Sequence, residues 1–122
     1  MLIAHGYEDL RFPLVRYLDH FGFRVIEASS ADEATQLLDS QHPEVVLSGL
    51  QAEQAARLYE ELGERRSPAA PMLIALLSGI DDRTPPLATG VLRMPFTLRS
   101  MLDEVRRGLG AAARSDGPAS AL

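Results

Sequence analysis

Residues 23–48 read FRVIEASSADEATQLLDSQHPEVVLS, and this stretch decides the fold. Phe23 to Ala28 reads as a strand. Ser30-Ala31-Asp32-Glu33 is a capping box, with the Ser30 hydroxyl placed to accept from the first turn and Glu33 placed to reach back. The helix it opens is expected to run to about Ser40. His42-Pro43 then turns the chain into Val45-Val46-Leu47-Ser48, an apolar run of the kind that forms a strand buried on both faces.

Outward from this unit, the same alternation continues in both directions. Met1-Leu2-Ile3-Ala4 is another buried strand, and Asp9 to Phe21 places Leu10, Leu14, Leu18 and Phe21 at helical spacing before Gly22. Pro13 near the first turn of that helix removes at most one backbone hydrogen bond. Downstream, Ala52 to Leu62 carries Ala55, Leu58, Tyr59 and Leu62 on one helical face, and Met72 to Leu77 is the most apolar run in the chain. Val91 to Met94 reads as a short strand, and Thr97 caps a helix bearing Leu98, Met101, Leu102, Val105 and Leu109. Strands alternating with helices imply a parallel sheet covered on both faces. Ligands meet such sheets at the carboxyl ends of the strands, where strand order reverses. The folded domain is expected over residues 1–109, with 110–122 a disordered C-terminal tail rich in Gly, Ala, Ser and Pro.

Composition narrows the function classes. A chain of 122 residues is one ordinary domain. Its net charge of −5 opposes binding to nucleic acid or an anionic membrane, both of which select basic surfaces. With no cysteine, disulfides, thiolate metal sites and cysteine nucleophiles are excluded. No apolar run approaches the roughly 18 residues that would span a bilayer, and Met1 to Ala4 is not the start of a signal peptide. A cytoplasmic location is the resulting expectation. All 12 basic residues are Arg and there is no Asn, a codon signature of a GC-rich bacterial genome.

Three segments together resemble the receiver domains of bacterial two-component response regulators. They are Met1-Leu2-Ile3-Ala4 with the helix ending Arg16-Tyr17-Leu18-Asp19-His20-Phe21-Gly22; Ala28-Ser29-Ser30-Ala31-Asp32-Glu33-Ala34 through Pro43-Glu44-Val45-Val46-Leu47; and Met94-Pro95-Phe96 with Leu98, Arg99 and Leu102. The resemblance covers about residues 1–109. It implies an α/β, flavodoxin-like (CheY-like) fold, a doubly wound five-stranded parallel sheet with helices on both faces. The fourth helix should be shortened or lost, because the connection between Leu76 and Met94 is short and contains Pro85-Pro86. The resemblance also implies a cis peptide bond before Pro95.

At every chemical position the chain departs from that family. The two acidic residues that hold Mg²⁺ correspond to His5 and Gly6, and the phosphoacceptor aspartate corresponds to Gly49. The hydroxyl residue corresponds to Leu76, the lysine to Met94 and the switch aromatic to Val91. Phosphorylation needs a nucleophilic oxygen, and charge on the transferred group needs Mg²⁺ and a cation. The expectation is a degenerate phosphorylation site, a chain that is not an enzyme, no bound metal or cofactor, and an apolar pocket closed by Leu76 and Met94.

Other candidate groups read blandly. His5 lacks partners at ligand spacing and is expected to be solvated or cap-bonded. His20 and His42 look like helix-end and turn residues, Asp81-Asp82 like a solvated loop, and Ser48 should point away from the acceptor position by strand alternation. Gly6 and Gly49 do not form a phosphate loop. Two functions remain: a pseudo-receiver that binds a protein partner in a signalling pathway, a histidine kinase or regulator being the natural type, or a flavodoxin-like domain binding a small ligand in the altered pocket. A homodimer is compatible with the first.

Overall fold

A computed structural model describes residues 1–65, 71–77 and 88–115. The strands are β1 (Leu2–Ala4), β2 (Ile26–Ala28), β3 (Val45–Ser48), β4 (Met72–Leu77) and β5 (Ala88–Arg93). They pair in the order β2-β1-β3-β4-β5, every pair parallel. The helices among the described residues are α1 (Glu8–His20), α2 (Ala31–Gln41), α3 (Ala52–Gly63) and α4 (Leu98–Ser115). The alternation predicts a parallel sheet covered on both faces, and this is the flavodoxin-like, CheY-like form of it that the resemblance implies. The connection at 78–87, where the fourth helix is expected to be shortened or lost, lies outside the described residues.

Side-chain alternation on the strands builds two cores. Leu2, Ala4, Val46 and Leu73 face α2 and α3, where Ala34, Leu38, Leu58 and Leu62 cover them. Ile3, Val45, Leu47 and Ile74 face α1 and α4, where Leu14, Leu18, Met101, Leu102 and Val105 close the second core. Burial of each large side chain contributes about 1.5–3 kcal/mol, so both layers of helix are held mainly by these stripes.

Four local details differ from the sequence-based expectation. Strand β2 begins at Ile26, paired with Leu2, rather than at Phe23; ahead of it Met1 continues the pairing, donating its amine to the Arg24 carbonyl at 3.0 Å and accepting from the Ile26 amide at 2.9 Å. Strand β5 begins at Ala88, three residues earlier than Val91, and carries a bulge: Leu73 pairs with Ala88 but Ile74 with Gly90. Thr89, left over by that bulge, donates its hydroxyl to the Leu73 carbonyl at 3.0 Å. The expected domain end at residue 109 falls inside α4, which runs on to Ser115; Ala111-Ala112-Ala113 are strong helix formers that carry it past Gly110. Residues 116–122 of the expected disordered tail lie outside the described residues. In α1 only half of the expected stripe is buried: Leu14 and Leu18 are core, whereas Leu10 and Phe21 are exposed.

Helix ends follow their sequence signals. The Ser30 hydroxyl accepts from the Glu33 amide at 3.2 Å, and the Glu33 carboxylate accepts from the Ser29 amide at 2.6 Å, one residue earlier than an ideal capping box. Gly22 ends α1 with a φ of 89°, a conformation that favours glycine. His42 closes α2 with a φ of 48°. The Thr97 hydroxyl accepts from the Ser100 amide at 3.0 Å and caps α4.

Candidate functional site: the cavity at the strand ends

Strand order reverses between β1 and β3, so the carboxyl ends of these two strands flank the crevice where such sheets bind ligands. His5 follows β1 and Gly49 follows β3. Backbone pairing continues one residue beyond each strand: the His5 amide donates to the Ala28 carbonyl at 3.0 Å, and the Gly49 amide donates to the Ala4 carbonyl at 2.8 Å. Both residues are therefore fixed by the sheet rather than by a free loop.

His5 is 9% exposed, so it is buried rather than solvated. It is cap-bonded, as the alternative expectation held: Nδ1 accepts from the Tyr7 amide at 3.0 Å. That bond places the ring proton on Nε2. Burial, and secondarily the Arg11 guanidinium, push the imidazole below its ordinary pKa of 6.5. Arg11 donates to the His5 carbonyl at 2.8 Å and pairs with Glu27 at 2.9 Å, clamping the start of α1 to the ends of β1 and β2.

The ring of His5 lies directly over Gly49. A Cβ added to Gly49 would stand 2.4 Å from Cδ2 and 3.0 Å from Nε2 of His5, distances at which the ring would have to move. Gly49 has no left-handed φ, so the close approach of the imidazole, not backbone conformation, is what requires glycine there.

His5, Gly49, Leu76 and Met94 all line one cavity of about 540 Å³. Leu10, Pro13 and Leu14 of α1, Leu50 and Gln51 after β3, Ala55 and Tyr59 of α3, Leu77, Phe96 and Leu98 complete it. Gly6 does not line that cavity; with Tyr7, Ser29 and Gln54 it lines a smaller adjoining hollow that shares Gly49, Leu50 and Gln51 with it, and a Cβ at Gly6 would meet open space. Val91 does not line the cavity either. It pairs with Ala75, one residue along each strand from the Leu76–Leu92 pair, and so faces the other side of the sheet. Ser48 is fully buried outside the cavity, and its hydroxyl has no hydrogen-bond partner among the described residues. The Met94–Pro95 peptide bond is cis. Asp81-Asp82 lie outside the described residues.

Leu76 and Met94 do not close the pocket, contrary to expectation. Leu76 is packed into the core, but Met94 is 46% exposed at the rim, and Gly49 contributes no side chain to fill the interior. The wall residues supplied by α1 and α3 were not singled out from the sequence. Leu10 and Leu14 could have been, because they form the strand-end half of an apolar stripe; Ala55 and Tyr59 read simply as core.

Mg²⁺, which the fold family implies, does not fit these residues. It needs hard oxygen ligands at near-octahedral positions. Among the described residues no carboxylate lines the cavity, and the titratable nitrogen facing it belongs to a buried imidazole. That ring fills the space an acceptor side chain at position 49 would use. Among the described residues no group of three His, Asp or Glu side chains could hold a metal ion, and no helix is long and apolar enough to cross a membrane.

No protein-family model matches the sequence, and no curated protein matches it. Solved structures do. The response regulator receiver modulated diguanylate cyclase from Pelobacter carbinolicus superposes with a TM-score of 0.78 at 24% identity, over 94% of this chain and 95% of that one. The CheY-like receiver domain protein from Methanospirillum hungatei JF-1 gives 0.79 at 14% identity, over 93% and 95%. The signal receiver domain of a signal transduction histidine kinase from Syntrophus aciditrophicus gives 0.77 at 19% identity, over 93% and 91%. The structural neighbours are response regulator receiver domains, and the chain has their fold.

Proposed function

We propose that this chain is a pseudo-receiver: a non-enzymatic, phosphorylation-independent protein-interaction module of bacterial two-component signalling, acting in the cytoplasm. The observation that carries the reading is the His5 imidazole seated where a side chain at position 49 would lie. A residue at 49 with a carboxylate, two acidic neighbours for Mg²⁺ and a lysine at 94 are what phosphotransfer on this fold would require. Here those places hold Gly49, His5, Gly6 and Met94.

A fixed protein-binding surface has support from α1. Phe12 and Tyr7 are each more than half exposed. Phe21, also exposed, sits beneath the Arg106 guanidinium of α4 at 5.6 Å, and Phe12 beneath Arg16 at the same distance. Exposed aromatic rings with arginine are the composition of interface hot spots. The partner is a histidine kinase or a regulator, and the net charge of −5 disfavours nucleic acid and anionic membranes.

The test has two arms. Purified chain incubated with acetyl phosphate and Mg²⁺ should show no phosphoryl adduct by intact-mass spectrometry. A pulldown from the native cell should recover one partner whose yield is the same with and without the phosphodonor and drops on Phe12→Ala. An adduct, or a partner whose binding depends on the donor, overturns the reading.

A further inference from the structure

We propose that the cavity at the ends of β1 and β3 binds a small, uncharged and largely apolar molecule carrying one hydrogen-bond acceptor, such as a ketone or amide oxygen, which receives the Nε2–H of His5. This goes beyond the protein-interaction reading and does not depend on it. Three observations lead there. At about 540 Å³ the cavity lies within the range of roughly 300–1,000 Å³ typical of small-molecule sites. Its walls are mostly aliphatic and aromatic side chains, with buried Leu14 and Leu76, exposed Leu10 and Met94 at the rim, and Gln51 and Tyr59 adding polar groups. Among the described residues no Asp, Glu or Arg lines it, so a charged ligand would lose its hydration without an ionic partner.

Of the polar side chains that line the cavity, His5, Gln51 and Tyr59, His5 is the buried one. Its Nδ1 is committed to the Tyr7 amide. Its Nε2 therefore carries the proton, has no partner among the described residues, and belongs to a residue only 9% exposed at the cavity wall. Burial keeps the ring neutral, so it donates one hydrogen bond without presenting a charge. An acceptor on the ligand would give that donor the partner that the described residues do not supply. Gly49 contributes by its missing side chain, which leaves the imidazole the space at the end of β3 that a Cβ would take.

A matched pair of probes tests the inference: 2-acetylnaphthalene, and 2-ethylnaphthalene, which has the same shape without the acceptor. Titrated into the ¹⁵N-labelled full chain, both should shift the amide resonances of Gly49, Leu76 and Met94. The ketone should bind about two- to tenfold more tightly, the contribution of one hydrogen bond, and should move the His5 Nε2 resonance. His5→Phe should keep binding and lose the preference, whereas His5→Gln, which retains a side-chain N–H donor, should keep both. If His5→Phe does not fold, the wild-type Nε2 resonance still decides: it should move with the ketone and stay in place with the hydrocarbon. No shifts at the cavity with either probe, or shifts centred elsewhere, would overturn the site. Equal affinities in the wild type, or a preference that survives His5→Phe, would overturn the assignment of His5 as donor. None of these results bears on phosphodonor reactivity, so the two readings fail separately.

Discussion

The imidazole of His5 and the bare Cα of Gly49 are mutually dependent: the ring occupies the volume that a Cβ at position 49 would need, with 2.4 Å between that Cβ and Cδ2. The ring is not free to swing aside, since it is buried and its Nδ1 holds the Tyr7 amide. Gly49→Ala should therefore destabilise the fold by about 1–3 kcal/mol, the usual cost of overpacking. In a His5→Ala background the same change should cost at least about 1 kcal/mol less, because the obstructing ring is gone. Urea unfolding of the four proteins in this cycle measures the coupling, and additive effects would show that the two residues do not compete for space. The same geometry predicts that Gly49→Asp alone gains no phosphoacceptor activity, since its carboxylate would displace His5 and still meet no metal ligand.

The fold was legible because its signals repeat. Val45 to Ser48 and Met72 to Leu77 are strands with the bounds their apolar runs imply, and Ser30 and Thr97 both cap the helices they precede. Edge strands were less legible: β2 starts at Ile26, opposite Leu2, a tertiary fact that the run from Phe23 does not encode. At the site, the substituted positions were readable one by one, but the volume they leave was not. Whether Leu76 and Met94 meet or stand apart depends on how far β4 and β5 extend and on what α1 and α3 place between them. Likewise, nothing in the order of residues says that the His5 ring turns toward Gly49.

Capping makes a simpler prediction. The Ser30 hydroxyl accepts from the Glu33 amide, and the Glu33 carboxylate accepts from the Ser29 amide and hydroxyl. Ser30→Ala should cost about 1 kcal/mol and Ser30→Asp should restore most of it, because a carboxylate both caps and complements the helix dipole. Thermal unfolding by circular dichroism would decide, and an Ala variant as stable as wild type would show that α2 is held by packing alone.

Ser48 should behave in the opposite sense. Its hydroxyl is fully buried on β3 between Ala4 of β1 and Ala75 of β4, with no hydrogen-bond partner among the described residues. Leaving such a group unpaired costs about 1–3 kcal/mol, and alanine removes the group with little change in volume. Ser48→Ala is expected to raise the urea midpoint without changing the slope. A lower midpoint would mean that the hydroxyl is bonded in solution.

His5 has a folded pKa below its ordinary 6.5, first because burial disfavours the imidazolium and second because Arg11 is near. Protonation would also turn Nδ1 from acceptor to donor and set it against the Tyr7 amide. As pH falls, the unfolded chain takes up this proton before the folded one does. Stability contributed by the neutral ring is thus complete above pH 6.5 and is lost progressively as pH falls from there through the folded pKa. Carboxylates protonating at lower pH, and the Met1 amine, whose pKa is also lowered by partial burial, are common to the wild type and a His5→Gln variant and cancel in the comparison. Between about pH 7.5 and pH 5.5, a window that brackets ordinary histidine titration, the wild type should lose more stability than His5→Gln. Equal losses in urea unfolding at the two pH values would mean that the folded chain protonates His5 as readily as the unfolded chain. The ring would then be solvated, and the buried neutral donor facing the cavity would go with it.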